Sequence, residues 1–332
     1  MPDLRIDPLT GLRSIIAGDR ADRPGGGFSV EPRSPLDPGT DPFLAGHEDR
    51  TPPEVYARRP DGGEPDGPGW SVRVVPNLYP ALSDGELADT EDPLARGRGE
   101  PNLFASRPAV GGHEVIVNAP EPVTSVVELD VAQLEQAMDV WRERMRAHDG
   151  AAYVHVIVNE GREAGASLPH THAQLYALPF VPAAVARERE RFTAYAERTH
   201  GRNLLEDLVQ EEVRLRERLV DYDSEAVAIA PFASRVPFQL QVIPRAPRAR
   251  FEDSGPLAAG LLHATMGRLA RVLGAVPPLN LWVLTAPRGA QYFCWRIDIL
   301  PRLTHLAGLE LGTGLNLNVL PPERAAELLR DT

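Results

Sequence analysis

The segment GASLPHTHAQ, residues 165–174, sets two histidines and a glutamine at two-residue spacing behind a small-residue turn. Along an extended strand alternate side chains share a face. His170, His172 and Gln174 therefore line up together, while Thr171, Ala173 and Leu175 point the other way. Neutral imidazole is a good nucleophile near pH 7 and forms a phospho-adduct that splits one transfer into two steps. One ring nitrogen must stay free while the other donates to an acceptor, and a carbonyl two residues back on the strand is within reach. Gln174 can hydrogen-bond a non-bridging phosphate oxygen without adding a titratable group. The preceding loop EGREAGAS offers small residues through which backbone N–H groups approach a ligand, Ser167 adds a hydroxyl, and Asn159 ends the strand before it. The pattern points to phosphate chemistry. Two alternatives stand beside it: a satisfied structural histidine pair, or two metal ligands that need partners elsewhere.

Composition narrows the classes. The 332 residues are 42% apolar, enough for one large domain or two ordinary ones. No run approaches eighteen consecutive apolar residues, and the start MPDLRIDPLTGLRS lacks a charged-then-apolar leader. Neither a membrane span nor a signal peptide is expected. Cys294 stands alone, which excludes an internal disulfide framework and a zinc knuckle built on a cysteine pair. Together these features predict a cytoplasmic protein. The net charge of −12, with no long basic run, argues against a nucleic-acid surface. Phosphates would have to be met by local cations or backbone N–H groups. Proline and glycine crowd the first hundred residues, which read as ordered loops wrapped on a core with some flexible parts.

The elements that must position the motif occur twice. In the first half come a strand at 113–120 and a helix over 131–147, with Leu134, Met138, Trp141 and Met145 on one face behind an Asp130 cap. Strands at 152–160 and 170–179 follow. The second half repeats the order: a strand at 238–247, a helix over 257–273 ending at Gly274, and strands at 279–287 and 292–301. A helical stretch over roughly 183–222 joins them. The prediction is an α+β fold of two duplicated halves, 1–182 and 183–332, with mainly antiparallel sheets and packed helices. Aligned, the halves set CWRID (294–298) against HTHAQ (170–174), so the second copy has lost both histidines. That asymmetry favours chemistry over packing as the reason for the first.

These residues together resemble the galactose-1-phosphate uridylyltransferase family, a branch of the histidine-triad superfamily. NEGREAGASLPHTHAQLYALPFVP is similar to its H-x-H-x-Q active-site segment. RIDPLTGLRSIIAGDRADRP, VVPNLYPAL, APFASRVPFQLQVIP and AGLELGTGLNLNVLPPERAAELLR extend the likeness over nearly the whole chain. It implies a nucleotidyltransferase that moves a nucleoside monophosphate from a nucleoside diphosphate sugar to a hexose 1-phosphate through a covalent nucleotidyl-histidine. His172 would be the nucleophile, with His170 beside it and Gln174 and Ser167 on the phosphoryl oxygens. Asn77, Asn159 and Gly165 would line the nucleotide and phosphate pocket, and Glu310 would hold sugar hydroxyls. Arg20 and Arg23 would reach the sugar-phosphate side, in that family from the neighbouring subunit of a homodimer. NLYPAL, THAQLYALP and ELGTG look closer to its ADP-sugar phosphorylase branch, where inorganic phosphate is the acceptor.

The sequence also departs from the family. Where many members bind zinc, Asp41 and Leu44 replace a cysteine pair and Pro122 replaces a histidine, leaving only His170. At a second metal site Glu188 survives, but Leu284, Cys294 and Arg296 stand where histidines would be. No metal and no cofactor is expected, and the loop 38–56 should be held by packing, with Phe43, Val55 and Tyr56 as candidates. The losses also motivate a non-catalytic nucleotide-sugar binding protein. A hydrolase is disfavoured by Gln174, since many hydrolytic relatives carry a third histidine there.

Overall fold

Short apolar runs broken by glycine and proline turns build most of this protein, and the computed structural model describes residues 1–18, 28–87 and 103–332. The chain opens with β1 (Asp3–Ile6), β2 (Arg13–Ile16), β3 (Tyr56–Arg58), β4 (Val72–Pro76) and β5 (Gly112–Val117). Then come α1 (Val131–Ala147), β6 (Tyr153–Glu160), β7 (His172–Leu178), α2 (Ala183–Arg198) and α3 (Leu204–Leu215). β8 (Leu219–Tyr222), β9 (Ala226–Ile229), β10 (Leu240–Pro244), α4 (Ala259–Leu273), β11 (Leu279–Leu284) and β12 (Arg296–Pro301) follow. α5 (Gly308–Thr313), β13 (Asn316–Asn318) and α6 (Pro322–Arg330) complete it.

Ten strands make one antiparallel sheet in the order β3-β4-β5-β7-β6-β11-β12-β10-β9-β8. The succession β4-β5-α1-β6-β7 recurs as β9-β10-α4-β11-β12, and the spatial order is the same read from either end. This is an α+β fold of duplicated, antiparallel halves. The halves share one continuous sheet, because β6 and β11 pair in register, Val158 opposite Leu281, and neither is left as an open edge.

α1 and α4 cover one face. Asp130 caps α1 by accepting the Gln133 N–H at 2.7 Å, and Gly274, at φ 84°, closes α4 in the left-handed conformation glycine adopts without strain. Leu134, Met138, Trp141 and Met145 meet Leu262, Met266 and Leu269 in a core that includes Ala173 and Leu175 of β7. The opposite face is covered differently in its two parts. α2 and α3 seal the second-half strands with Phe192, Leu205 and Val209, whereas Phe43, Trp70, Val75, Val115 and Val117 form a small cluster over the first-half strands. A register slip by one residue would turn His172 into the helix-packed core, so burial of Ala173 and Leu175 fixes the side on which the imidazole emerges.

Two features depart from the sequence reading. The joining stretch is two helices separated by a turn at Gly201, with Asn203 capping the second, and it ends in β8 rather than in helix. A three-stranded sheet, β1-β2-β13, ties residues 316–318 in parallel to β2; pairing across three hundred residues leaves no local signal. Among the described residues no helix is long and apolar enough to cross a membrane.

Candidate active site

His172 begins β7, and its Nδ1–H donates to the His170 carbonyl oxygen at 2.7 Å. That bond fixes the tautomer and leaves the Nε2 lone pair free. The ring is only 5% exposed, and burial pushes its pKa below the ordinary 6.5, so it is neutral at neutral pH. The Phe43 ring meets it edge-on, centroids 5.2 Å apart. Before the imidazole lies a cavity of about 320 Å³, with apolar walls from Pro42, Phe43, Val75, Leu78 and Val115 and polar groups from Arg50, Thr51, Asn77, Ser167 and Gln174. A larger cavity, about 860 Å³, opens on the other side of Ser167 between Arg33 and Arg162. No imidazole lines it.

Gln174 is held from behind. Its Oε1 accepts the Tyr176 hydroxyl at 3.0 Å and lies 3.1 Å from His113 Nε2. The His113 and Tyr176 rings stack, centroids 4.2 Å apart. Asn77 begins the adjoining turn, where its Oδ1 accepts the Tyr79 N–H at 2.9 Å.

The residues of the sequence reading separate at this point. His172, Gln174, Ser167 and Asn77 share the cavity. His170 does not: its ring is fully buried, with Nδ1 2.6 Å from Asp41 Oδ2 and Nε2 2.9 Å from the Ala119 carbonyl oxygen. The expected row of two imidazoles is one imidazole facing the cavity and one behind it, because His170 precedes the strand and its alternation. Asn159 and Gly165 also stay out of the cavity wall. Asn159 Oδ1 accepts from Asn280 Nδ2 at 2.8 Å, and the same Asn280 nitrogen donates to the Ala164 carbonyl at 2.7 Å, so both brace the loop from β11. The loop does not present a fan of free amides: the N–H groups of Ala164 and Ala166 donate to the Gly161 carbonyl, and that of Gly165 to the Arg162 carbonyl. Glu310 lies apart from the cavity, and its carboxylate accepts the Ala307 N–H at the start of α5. Arg20 and Arg23 lie outside the described residues.

A family model described as the N-terminal domain of galactose-1-phosphate uridyl transferase matches residues 1–182. The chain belongs to the galactose-1-phosphate uridyl transferase family. A second family model, described only as a domain of unknown function, matches residues 124–331. ADP-glucose phosphorylase of Arabidopsis thaliana is 31% identical over 99% of this chain and 93% of its own length. Galactose-1-phosphate uridylyltransferase of Haemophilus influenzae is 30% identical over 99% and 94%. Among solved structures, the Arabidopsis ADP-glucose phosphorylase with bound ADP-glucose superposes with a TM-score of 0.80 at 28% identity, covering 100% of this chain and 99% of that one. The protein is thus an enzyme of this transferase and phosphorylase family.

The residues at the zinc position that the resemblance implies do not fit a metal here. Both ring nitrogens of His170 are committed to oxygen acceptors, and Leu44 and Pro122 offer no ligand atom. The Asp41–His170 pair ties the loop 38–56 to the strand entry, together with buried Phe43 and the bond from Trp70 Nε1 to Glu48. Tyr56 packs against the main core, but the Val55 side chain is exposed, and this residue ties the loop only through its backbone N–H, which donates to the Val74 carbonyl at 2.9 Å. At the second position the Arg296 guanidinium lies between Glu188, at 2.9 and 3.1 Å, and Asp298, at 2.9 Å, all buried. A fixed cation there repels another.

His113, Tyr176, Asn280 and Arg50 were not singled out as site residues by the sequence. His113 faces Tyr176 across β5 and β7, and Asn280 faces Asn159 across β11 and β6. Cross-strand register was the missing signal.

Proposed function

We propose that the protein transfers a nucleoside monophosphate from a nucleoside diphosphate hexose to a phosphate-bearing acceptor through an adduct on His172. One observation carries this reading: the His172 ring, locked through Nδ1 on the His170 carbonyl, turns a free Nε2 toward a cavity that also holds Gln174 and Ser167. Nε2 attacks the α-phosphorus, the P–O bond to the β-phosphate breaks, and the electron pair leaves with the sugar 1-phosphate. An acceptor phosphate oxygen then attacks the same phosphorus, and the P–N bond breaks to return the lone pair to Nε2. Gln174 and Arg50 meet the non-bridging oxygens, and the apolar walls around Phe43 and Leu78 take the base. Both steps use these side chains alone, and neither metal position that the resemblance implies offers a ligand set among the described residues.

For the donor and acceptor, the greater likeness to the Arabidopsis phosphorylase, TM-score 0.80 against 0.72 for a uridylyltransferase, supports ADP-glucose with inorganic phosphate. UDP-glucose with a hexose 1-phosphate is the second reading, supported by the Haemophilus influenzae uridylyltransferase, which aligns over 99% of this chain. The test is an exchange screen of both α-labelled donors against both acceptors. An acid-labile, base-stable label on wild type, absent from His172→Ala and restored to His172→Gly by free imidazole, is the expected result. No adduct and no exchange with either donor overturns the reading.

A further inference from the structure

We propose that His113 is a positioning residue that decides which end of the Gln174 amide faces the reacting phosphorus. This assignment rests on the reading of His172 as nucleophile. An amide oxygen turned toward a phosphoryl oxygen repels it, whereas the amide nitrogen donates to it, so the enzyme works only with one of two nearly isosteric rotamers. The bond from Tyr176 does not discriminate between them, because a hydroxyl donates to an oxygen and accepts from a nitrogen equally well. His113 does discriminate. Its Nδ1 accepts the backbone N–H of Ala81 at 3.0 Å, and a main-chain N–H has no alternative role. The neutral ring therefore carries its hydrogen on Nε2, which then demands the oxygen of Gln174 at 3.1 Å and leaves the amide nitrogen for the cavity.

Burial keeps this imidazole below its ordinary pKa, which preserves the one-donor, one-acceptor form. Asn77 Nδ2 also lies 3.1 Å from His113 Nε2 but cannot donate to a nitrogen that carries a hydrogen. Its own orientation is set by the Tyr79 N–H, so its hydrogens too remain for a ligand oxygen. Two backbone N–H groups in the turn 77–81 thus set the polarity of both amides at the site.

The experiment is a double-mutant cycle on the rate of His172 labelling from α-labelled ADP-glucose and UDP-glucose. His113→Phe keeps the ring against Tyr176 but has no donor. The expected result is a fall in labelling rate of about tenfold with the donor KM changed less than about twofold, and no further effect of His113→Phe in a Gln174→Ala background. His113→Gln, which can accept from Ala81 and donate to Gln174, should recover most of the rate. An equal loss in both backgrounds, with thermal destabilisation to match, would make His113 a packing residue and overturn the assignment alone. A wild-type protein that takes no label from either donor overturns the nucleophile reading and this assignment with it.

Discussion

Replacing Asp41 tests whether a hydrogen-bonded pair of side chains holds the loop that roofs His172. Asp41 is 4% exposed and His170 fully buried, with their polar atoms 2.6 Å apart. The His170 ring meets oxygen on both sides, so Asp41→Leu leaves a buried ring nitrogen with no partner. Breaking one side of a buried pair costs about 3–5 kcal/mol. At about 2.1 cal/mol/K of unfolding entropy per residue, a 332-residue chain carries roughly 0.7 kcal/mol/K, so Tm should fall by roughly 4–7 °C. Asp41→Asn is the informative control. Its amide can donate to a neutral His170 Nδ1 while Nε2–H keeps the Ala119 carbonyl, so both groups stay satisfied and the loss should be below about 1 kcal/mol.

The pH dependence has a definite sign. Burial works to raise the Asp41 pKa, but the His170 bond and the Phe43 N–H outweigh it and hold the carboxyl below its ordinary 3.8. A depressed carboxyl contributes stability above its unfolded pKa and loses it as the pH falls through the folded value. The wild-type advantage over Asp41→Leu should therefore be full at about pH 5 and fade below about pH 3.8. Asp41→Asn should show no such acid loss from this position. Calorimetry of the three proteins across that range checks both statements. Equal melting of wild type and Asp41→Leu would refute the argument, as would an Asn variant no better than the Leu variant.

Other outcomes follow from the same geometry. The His172 imidazole, held neutral by burial, should give a rate profile for labelling whose acid limb has its midpoint below pH 6.5. A midpoint above it would contradict a desolvated ring. Asn280→Ala removes two bonds to the 159–164 segment and should weaken donor binding by about tenfold while labelling at saturation changes little; steady-state kinetics that show only a loss of kcat would count against the bracing role. Dialysis against a chelator should leave both Tm and labelling unchanged, since neither position at which the resemblance implies a metal offers a ligand set among the described residues. A drop of several degrees, with stoichiometric zinc released, would show otherwise.

Local patterns were readable where local physics decides. The apolar stripe of α1 and its Asp130 cap, the alternation that buries Ala173 and Leu175, and the repeated order of elements all follow from spacing alone. Partners far apart in sequence were not readable. Asp41 and His170 are 129 residues apart, and His113 and Gln174 are 61 apart; nothing around either histidine announces its partner. The loop 161–166 was readable only in part. Small residues signalled a tight turn, but a turn this tight spends its own N–H groups on its own carbonyls and keeps few for a ligand.

The duplicated sheet shows why only one half presents an imidazole to a cavity. Aligning the halves sets Arg296 where His172 stands and Asp298 where Gln174 stands, each near the start of the equivalent strand. The strands present these side chains alike; what covers them differs. In the second half α2 lays Glu188 directly on the strand, and the buried guanidinium is clamped between two carboxylates. In the first half the cover is a loop anchored at Asp41 and Phe43, which leaves a cavity between itself and the strand. A bare imidazole sealed under a helix would reach no substrate, and an arginine in the open cavity would bind phosphate without attacking it. A helix over one copy and a loop over the other is the structural difference that lets a symmetric sheet open an imidazole to a cavity in one half and bury a guanidinium in the other.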